Sequence, residues 1–163
     1  MELKKRFDFR IVFLSLYMLA FLIYLLVGFL PAEAVNYKID ARLEIPAIGL
    51  VSEVTTLDLQ ERKLNAPDSI VGSYSRAENK TLLIGHSTTA FSDLDKLNLG
   101  EEIVYRNKVY RVAGRAMVEK NKISMREILK TEENDTLVLM TCAGELYEDR
   151  DASHRLIITA IEL

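Results

Sequence analysis

Hydrophobic positions fall into two regimes along this chain of 163 residues. From Ile11 to Leu30, "IVFLSLYMLAFLIYLLVGFL" runs for 20 residues with no charge and no polar face at helical spacing. That length matches a helix across a bilayer core, roughly 30 Å at about 1.5 Å per residue. Fourteen of the 20 are Leu, Ile, Val or Phe. On an insertion scale they favour the membrane by about 4–8 kcal/mol, outweighing Ser15, Tyr17, Tyr24 and Gly28. Beyond residue 40 the apolar runs become short and strand-like.

"ARLEIPAIGL" (41–50) alternates until it meets Pro46, as expected of a strand at a sheet edge or where the chain enters a sheet. "VSEVTTL" reads as a second strand, and "TLLIGHS" (81–87) as a short buried one. "SDLDKL" predicts one or two helical turns with Ser92 as N-cap. "EEIVYRNKVYRVAGRAMVEK" predicts a hairpin turning at Asn107-Lys108. "SMREILK" predicts a short helix with Ser124 and Glu127 as a capping box. "TLVLMTC" and "RLIITAIEL" are apolar strands separated by residues 143–154. There is no repeat or low-complexity tract. Seven or eight short strands with brief helical connections predict a mainly β domain, a closed or nearly closed barrel. The residues outside the apolar span suffice for one modest core.

Charge then orients the chain. Lys4, Lys5, Arg6 and Arg10 precede the apolar span, and no comparable cluster follows it. The positive-inside rule keeps the N-terminus cytoplasmic and exports everything after Leu30. The expected organisation is a basic tail at 1–10, a signal-anchor at 11–30, a linker at 31–40 and an exported domain at 41–163. Ala32-Glu33-Ala34 resembles a signal-peptidase site, but the apolar run exceeds the roughly 7–15 residues of a cleaved signal. Residues after 34 carry 17 basic and 21 acidic side chains, a balance that excludes the basic patch of a nucleic-acid binder. Export also makes the single cysteine, Cys142, informative. A lone Cys in an oxidising compartment is a reactive thiol, half of an intermolecular bridge, or a small buried hydrophobe.

Three polar residues sit where strands are expected to stop. Cys142 ends one strand, Arg155 begins the next after the 12 residues of "AGELYEDRDASH", and His86 ends "TLLIGH". If the two C-terminal strands pair antiparallel, Cys142 and Arg155 meet at one mouth of the barrel. Loops of that length are uncommon and often functional. A thiolate attacks carbonyl carbon, imidazole moves the proton, and guanidinium offers fixed donors to the developing oxyanion. Each residue also has a structural reading: a half-buried histidine, a surface arginine. Spacing alone leaves His154 open as a rival base.

At these residues the chain resembles the sortase family of cysteine transpeptidases. "LLIGHS" (82–87), "VLMTC" (138–142) and "RLIITA" (155–160) match its His, Cys and Arg strand ends in order, with "IPAIGL" and "FSDLDKLNLGEEIVY" as supporting segments. The resemblance covers about residues 40–163. It implies an eight-stranded barrel with His86, Cys142 and Arg155 as catalytic residues, and gives His154 no catalytic counterpart. It further implies cleavage of a C-terminal Leu-Pro-x-Thr-Gly-type sorting signal on exported proteins. Cys142 would carry the acyl group as a thioester and pass it to an amine of peptidoglycan precursor or pilin at the cell surface. Thr141 and Ala143 are candidates at the oxyanion site, and Ile123, Met125 and Ile128 for an apolar donor pocket, with core packing as their alternative. No Asp-Pro-aromatic lid precedes the domain, unlike typical pilin-polymerising members, and "SRAENKTLL" lacks a glycine common before the histidine strand. The expectation is that no cofactor is needed. Some members use calcium, yet Glu101, Glu102, Glu119, Glu132 and Glu133 form no clear ligand set in sequence.

Two enzyme alternatives fit less well. L,D-transpeptidases place His and Gly directly before their cysteine, where Met140-Thr141 stand here. Papain-like peptidases order Cys before His. A catalytically silent, membrane-anchored binding domain is the non-enzymatic alternative.

Overall fold

A computed structural model describes residues 9–28, 37–59, 64–146 and 152–163. The basic tail up to residue 8, the Ala32-Glu33-Ala34 site and residues 147–151 lie outside the described residues. The chain divides into two compact units, Met1–Asn36 and Tyr37–Leu163. The described residues of the first form α1 (Phe9–Gly28), which takes in the apolar run as far as Gly28. Its side chains are described only for residues 13–24. Among the described residues no helix is long and apolar enough to cross a membrane.

The second unit is an eight-stranded closed barrel. Its strands are β1 (Ile39–Ile45), β2 (Leu50–Thr56), β3 (Val71–Ala77), β4 (Lys80–Ile84), β5 (Glu102–Tyr105), β6 (Lys108–Glu119), β7 (Thr136–Leu146) and β8 (Ala152–Glu162). They close in the order β1-β2-β3-β4-β7-β8-β6-β5. Most neighbours are antiparallel, but β2–β3 and β4–β7 run parallel. The parallel β4–β7 pair requires the long crossover through β5, β6 and α2 (Met125–Ile128), because parallel neighbours cannot be joined by a tight turn. That crossover places the segment after β4 beside the second half of β7.

Alternation decides what each strand buries. Leu43 and Ile45 of β1, Leu83 of β4, Leu137 and Leu139 of β7, and Leu156 and Ile158 of β8 fill the barrel interior. The β4–β7 pair is buried on its outer face too. Leu82, Ile84 and Val138 form a second cluster there with Ile128, Leu129 and Met140 packed against it. Hence all five residues of β4 are buried. Lys80 is among them, and its Nζ reaches Glu132 Oε1 at 3.0 Å, the pairing a buried ammonium requires.

Several local expectations change. The hairpin turns at Arg106-Asn107, with φ of 50° and 62°, and Lys108 is already paired with Tyr105. Two central residues at positive φ match the twist of a two-residue hairpin, so the turn sits one position earlier. Ser92 caps nothing: the helical turn is Leu94–Lys96 and its N-cap is Asp93. Ser124 does cap α2, its hydroxyl accepting from the Glu127 N–H at 3.5 Å. The 12-residue loop shortens as well, because β7 continues to Leu146 and β8 begins at Ala152.

Candidate active site

Cys142 lies within β7, not at its end, and pairs across the sheet with Arg155 of β8. The strands are antiparallel neighbours, so their register alone sets the two residues opposite each other on one face of the sheet. His86 arrives from β4, two residues past Ile84, where the parallel pairing of Ile84 with Met140 sets its height along β7. The Gly85 N–H donates to the Met140 carbonyl at 3.4 Å. The buried Thr141 hydroxyl donates to the Gly85 carbonyl at 2.8 Å. Thr141 thus clamps the histidine segment to the cysteine strand. The His86 carbonyl accepts from Thr89 and Phe91 N–H groups at 3.2 and 3.0 Å, folding the chain sharply away. Gly85 permits that fold, since a Cβ there would lie 3.0 Å from the Phe91 ring.

His86, Cys142 and Arg155 line one cavity of about 300 Å³, with Leu64, Ile84 and Met140. Arg155 Nη1 donates to the carbonyls of Ala152 and His154, each at 2.9 Å, which fixes the guanidinium over its own strand. Leu64, Ile84 and Met140 also line a second, adjoining cavity of about 280 Å³ with Tyr74, Met125 and Leu129. The two spaces share that wall, so an apolar groove continues from the thiol towards α2. Of the apolar candidates, Met125 lies on this groove. Ile128 packs into the outer cluster instead, and Ile123 is half-buried beside the turn that precedes α2. Ala143 packs against the barrel core and lines a different cavity beside Cys142.

His154 points elsewhere. Its Nδ1 lies 2.8 Å from Ser153 Oγ, and it lines a separate cavity with Glu119 and Asn121. Neighbouring residues on a strand face opposite sides, so His154 and Arg155 serve different faces. Tyr74, Leu64 and Met140 are lining residues that sequence reasoning missed. Only Met140 lay within a quoted motif, as the residue two before the cysteine.

Among the described residues no three His, Cys, Asp or Glu side chains converge on a metal site. The glutamates considered for calcium are dispersed: Glu102 pairs with Arg111, Glu119 with Lys122 and Glu132 with Lys80, and Glu101 accepts from the Asn98 N–H.

Comparison with known proteins agrees with this architecture. The Sortase domain family matches residues 43–162. Sortase A from Corynebacterium diphtheriae, in a lid-mutant form, superposes with a TM-score of 0.60 at 20% identity, covering 82% of this chain and 74% of that one. Sortase C2 of Pilus Island 1 from Group B Streptococcus gives 0.59 at 20% identity, covering 78% and 76%. Sortase C-1 from Actinomyces oris gives 0.58 at 22% identity, covering 83% and 77%. No curated protein is similar enough in sequence to count as a relative. The chain belongs to the sortase family, the transpeptidases of cell-wall sorting.

Proposed function

We propose that this chain is a membrane-anchored sortase that cleaves a Leu-Pro-x-Thr-Gly-type sorting signal and transfers the acyl group to an amine at the cell surface. The observation that carries the reading is the cavity shared by His86, Cys142 and Arg155, continued by the apolar groove past Ile84, Met140 and Met125. The Leu-Pro end of the signal lies in the groove, which brings the scissile Thr-Gly carbonyl to Cys142. The Cys142 thiolate bonds to that carbon, and Arg155 donors meet the oxyanion. Collapse breaks the C–N bond, and His86 gives its proton to the departing amine. The thioester then accepts an incoming amine, whose proton returns to His86. Thr141 acts indirectly, by holding Gly85 and so His86 in place. Residues 11–30 span the membrane as a signal-anchor, so that exported substrates meet an exported site. The sequence supports this reading, since residues 11–30 carry no charge and match in number the roughly 20 residues that a bilayer span needs.

The test is a mass spectrum of the full chain in detergent, incubated with sorting-signal peptides. An acyl adduct on Cys142 is expected, absent in Cys142→Ala and slowed on the order of 10²–10³-fold in Arg155→Ala. A protein that acquires no adduct from any donor peptide, while still binding one, is the silent binding domain instead.

A further inference from the structure

Cys142 borders two cavities, and the donor groove accounts for only one. The other, of about 350 Å³, opens on the far side of the thiol. Ser87, Ser92 and Asp95 wall it from the segment after β4, and Met117, Gly144 and Leu156 from the β6–β7–β8 face. Neither His86 nor Arg155 lines it, and among its lining residues Asp95 alone is charged at neutral pH. Asp95 is exposed. Its neighbour Lys96 pairs with Asp93 at 2.7 Å and lies in the field of the Asp95 charge as well, but among the described residues no cation comes within ion-pair distance of the Asp95 carboxylate.

Resting on the acyl-transfer reading above, we propose that this second cavity admits the acceptor, and that Asp95 favours acceptors arriving as alkylammonium ions over neutral amines. Once the thioester has formed, the acyl chain fills the donor groove. The carbonyl carbon on Cys142 must then be approached from the open side. A carboxylate at the mouth raises the local concentration of cations. Phe91, Met117 and Leu156 along the wall suit the methylene stem of a lysine-like side chain. The ammonium loses one proton to solvent as it passes inward. Its nitrogen bonds to the thioester carbon, and the C–S bond breaks with its electron pair going to Cys142. The second proton passes to His86, giving an amide and a free thiolate.

The experiment forms the acyl-enzyme on the full chain in detergent, then measures transfer to N-acetyl-lysine amide and to hydroxylamine, which is neutral near pH 7. Acylation without acceptor is the reference for each variant. In Asp95→Asn the KM for N-acetyl-lysine amide is expected to rise roughly two- to fivefold, with hydroxylamine unaffected. High salt should erase the difference between wild type and variant, since the attraction is exposed and screened. Met117→Trp, at a surface position, should obstruct transfer to N-acetyl-lysine amide relative to acylation. The inference is overturned if the acyl-enzyme forms but Asp95→Asn leaves the KM for N-acetyl-lysine amide unchanged. It is equally overturned if Met117→Trp slows acylation and transfer alike. A wild-type protein that never acylates overturns the acyl-transfer reading itself, and this inference with it.

Discussion

Gly144 shows how one residue sets the geometry of the thiol. It lies two positions after Cys142, at φ +80°, where β7 and β8 slip register between Ala143 and Leu146. A Cβ at this position would sit 2.5 Å from Ser153 Oγ and 2.8 Å from His154 Nδ1. Those same atoms bond one another at 2.8 Å, and Ser153 Oγ accepts from the Glu145 N–H at 3.0 Å. His154 is therefore part of the bulge beside Cys142, while His86 lines the cavity shared with Cys142 and Arg155. Gly144→Ala meets both a backbone penalty and a collision. It should cost about 1–3 kcal/mol of stability and slow acylation more than a surface change of equal cost, because Cys142 and Arg155 lose their register. Thermal unfolding and adduct formation measured on one sample separate the two. An alanine variant that melts and acylates like wild type would show the bulge to be irrelevant.

Among the elements, β4 has the most concentrated task, since it is buried on both faces and delivers His86. Leu83 points into the barrel and Ile84 into the outer cluster and the groove beside the thiol. Leu83→Ala should cost about 2–5 kcal/mol and leave the KM for donor peptide near wild type in the protein that remains folded. Ile84→Ala should cost stability and also raise that KM, because the groove wall is lost. Equal KM values for the two variants would place the peptide elsewhere. The apolar run of β4 made it legible in sequence, as were β1, β2, β7, β8 and the β5–β6 hairpin, all of which carry alternating or continuous apolar residues. β3, "VGSYSRA", gave no such signal, although Val71, Gly72 and Ser73 are buried. Its burial depends on a small residue. A Cβ on Gly72 would lie 2.4 Å from Leu57 Cδ1, so the strand is recognisable only once Leu57 is packed on it. The pairing of Cys142 with Arg155 could be reasoned from neighbouring strands. The parallel β4–β7 contact that brings in His86 links residues more than 50 positions apart, beyond the reach of local periodicity. The space beyond Cys142 was not visible at all, because a cavity belongs to no single segment.

For the molecule as a whole, the weakest seam of the barrel is its closure between β1 and β5, where only Leu43–Tyr105 and Glu44–Val104 are paired. Tyr105 is buried there, and Tyr110 on the adjoining β6 is buried too. Burial raises the pKa of Tyr105, and raises that of Tyr110 to about 12 with the Asp135 charge adding to it. The neutral phenols are thus favoured in the folded state. Their contribution is fully present below the unfolded value of about 10 and is lost as pH rises towards the folded values. Lys108, hydrogen-bonded to Asp135 and Glu162, has a raised pKa as well, and its contribution also fades upward through that range. At the acid end the signs reverse. Hydrogen bonds lower the pKa of Asp40 from Thr56, of Glu119 from Lys122 and of Glu132 from Lys80. Their contributions exist above the ordinary carboxylate values and vanish as pH falls below about 4. The barrel's melting temperature should therefore hold a plateau from about pH 5 to 10 and fall on both sides. Tyr110→Phe, followed by circular dichroism, should flatten the alkaline fall and leave the acid one untouched. Lys108 and Tyr105 account for the alkaline loss that persists. An alkaline limb unchanged by Tyr110→Phe would mean that the seam opens for a reason other than burial of these phenols.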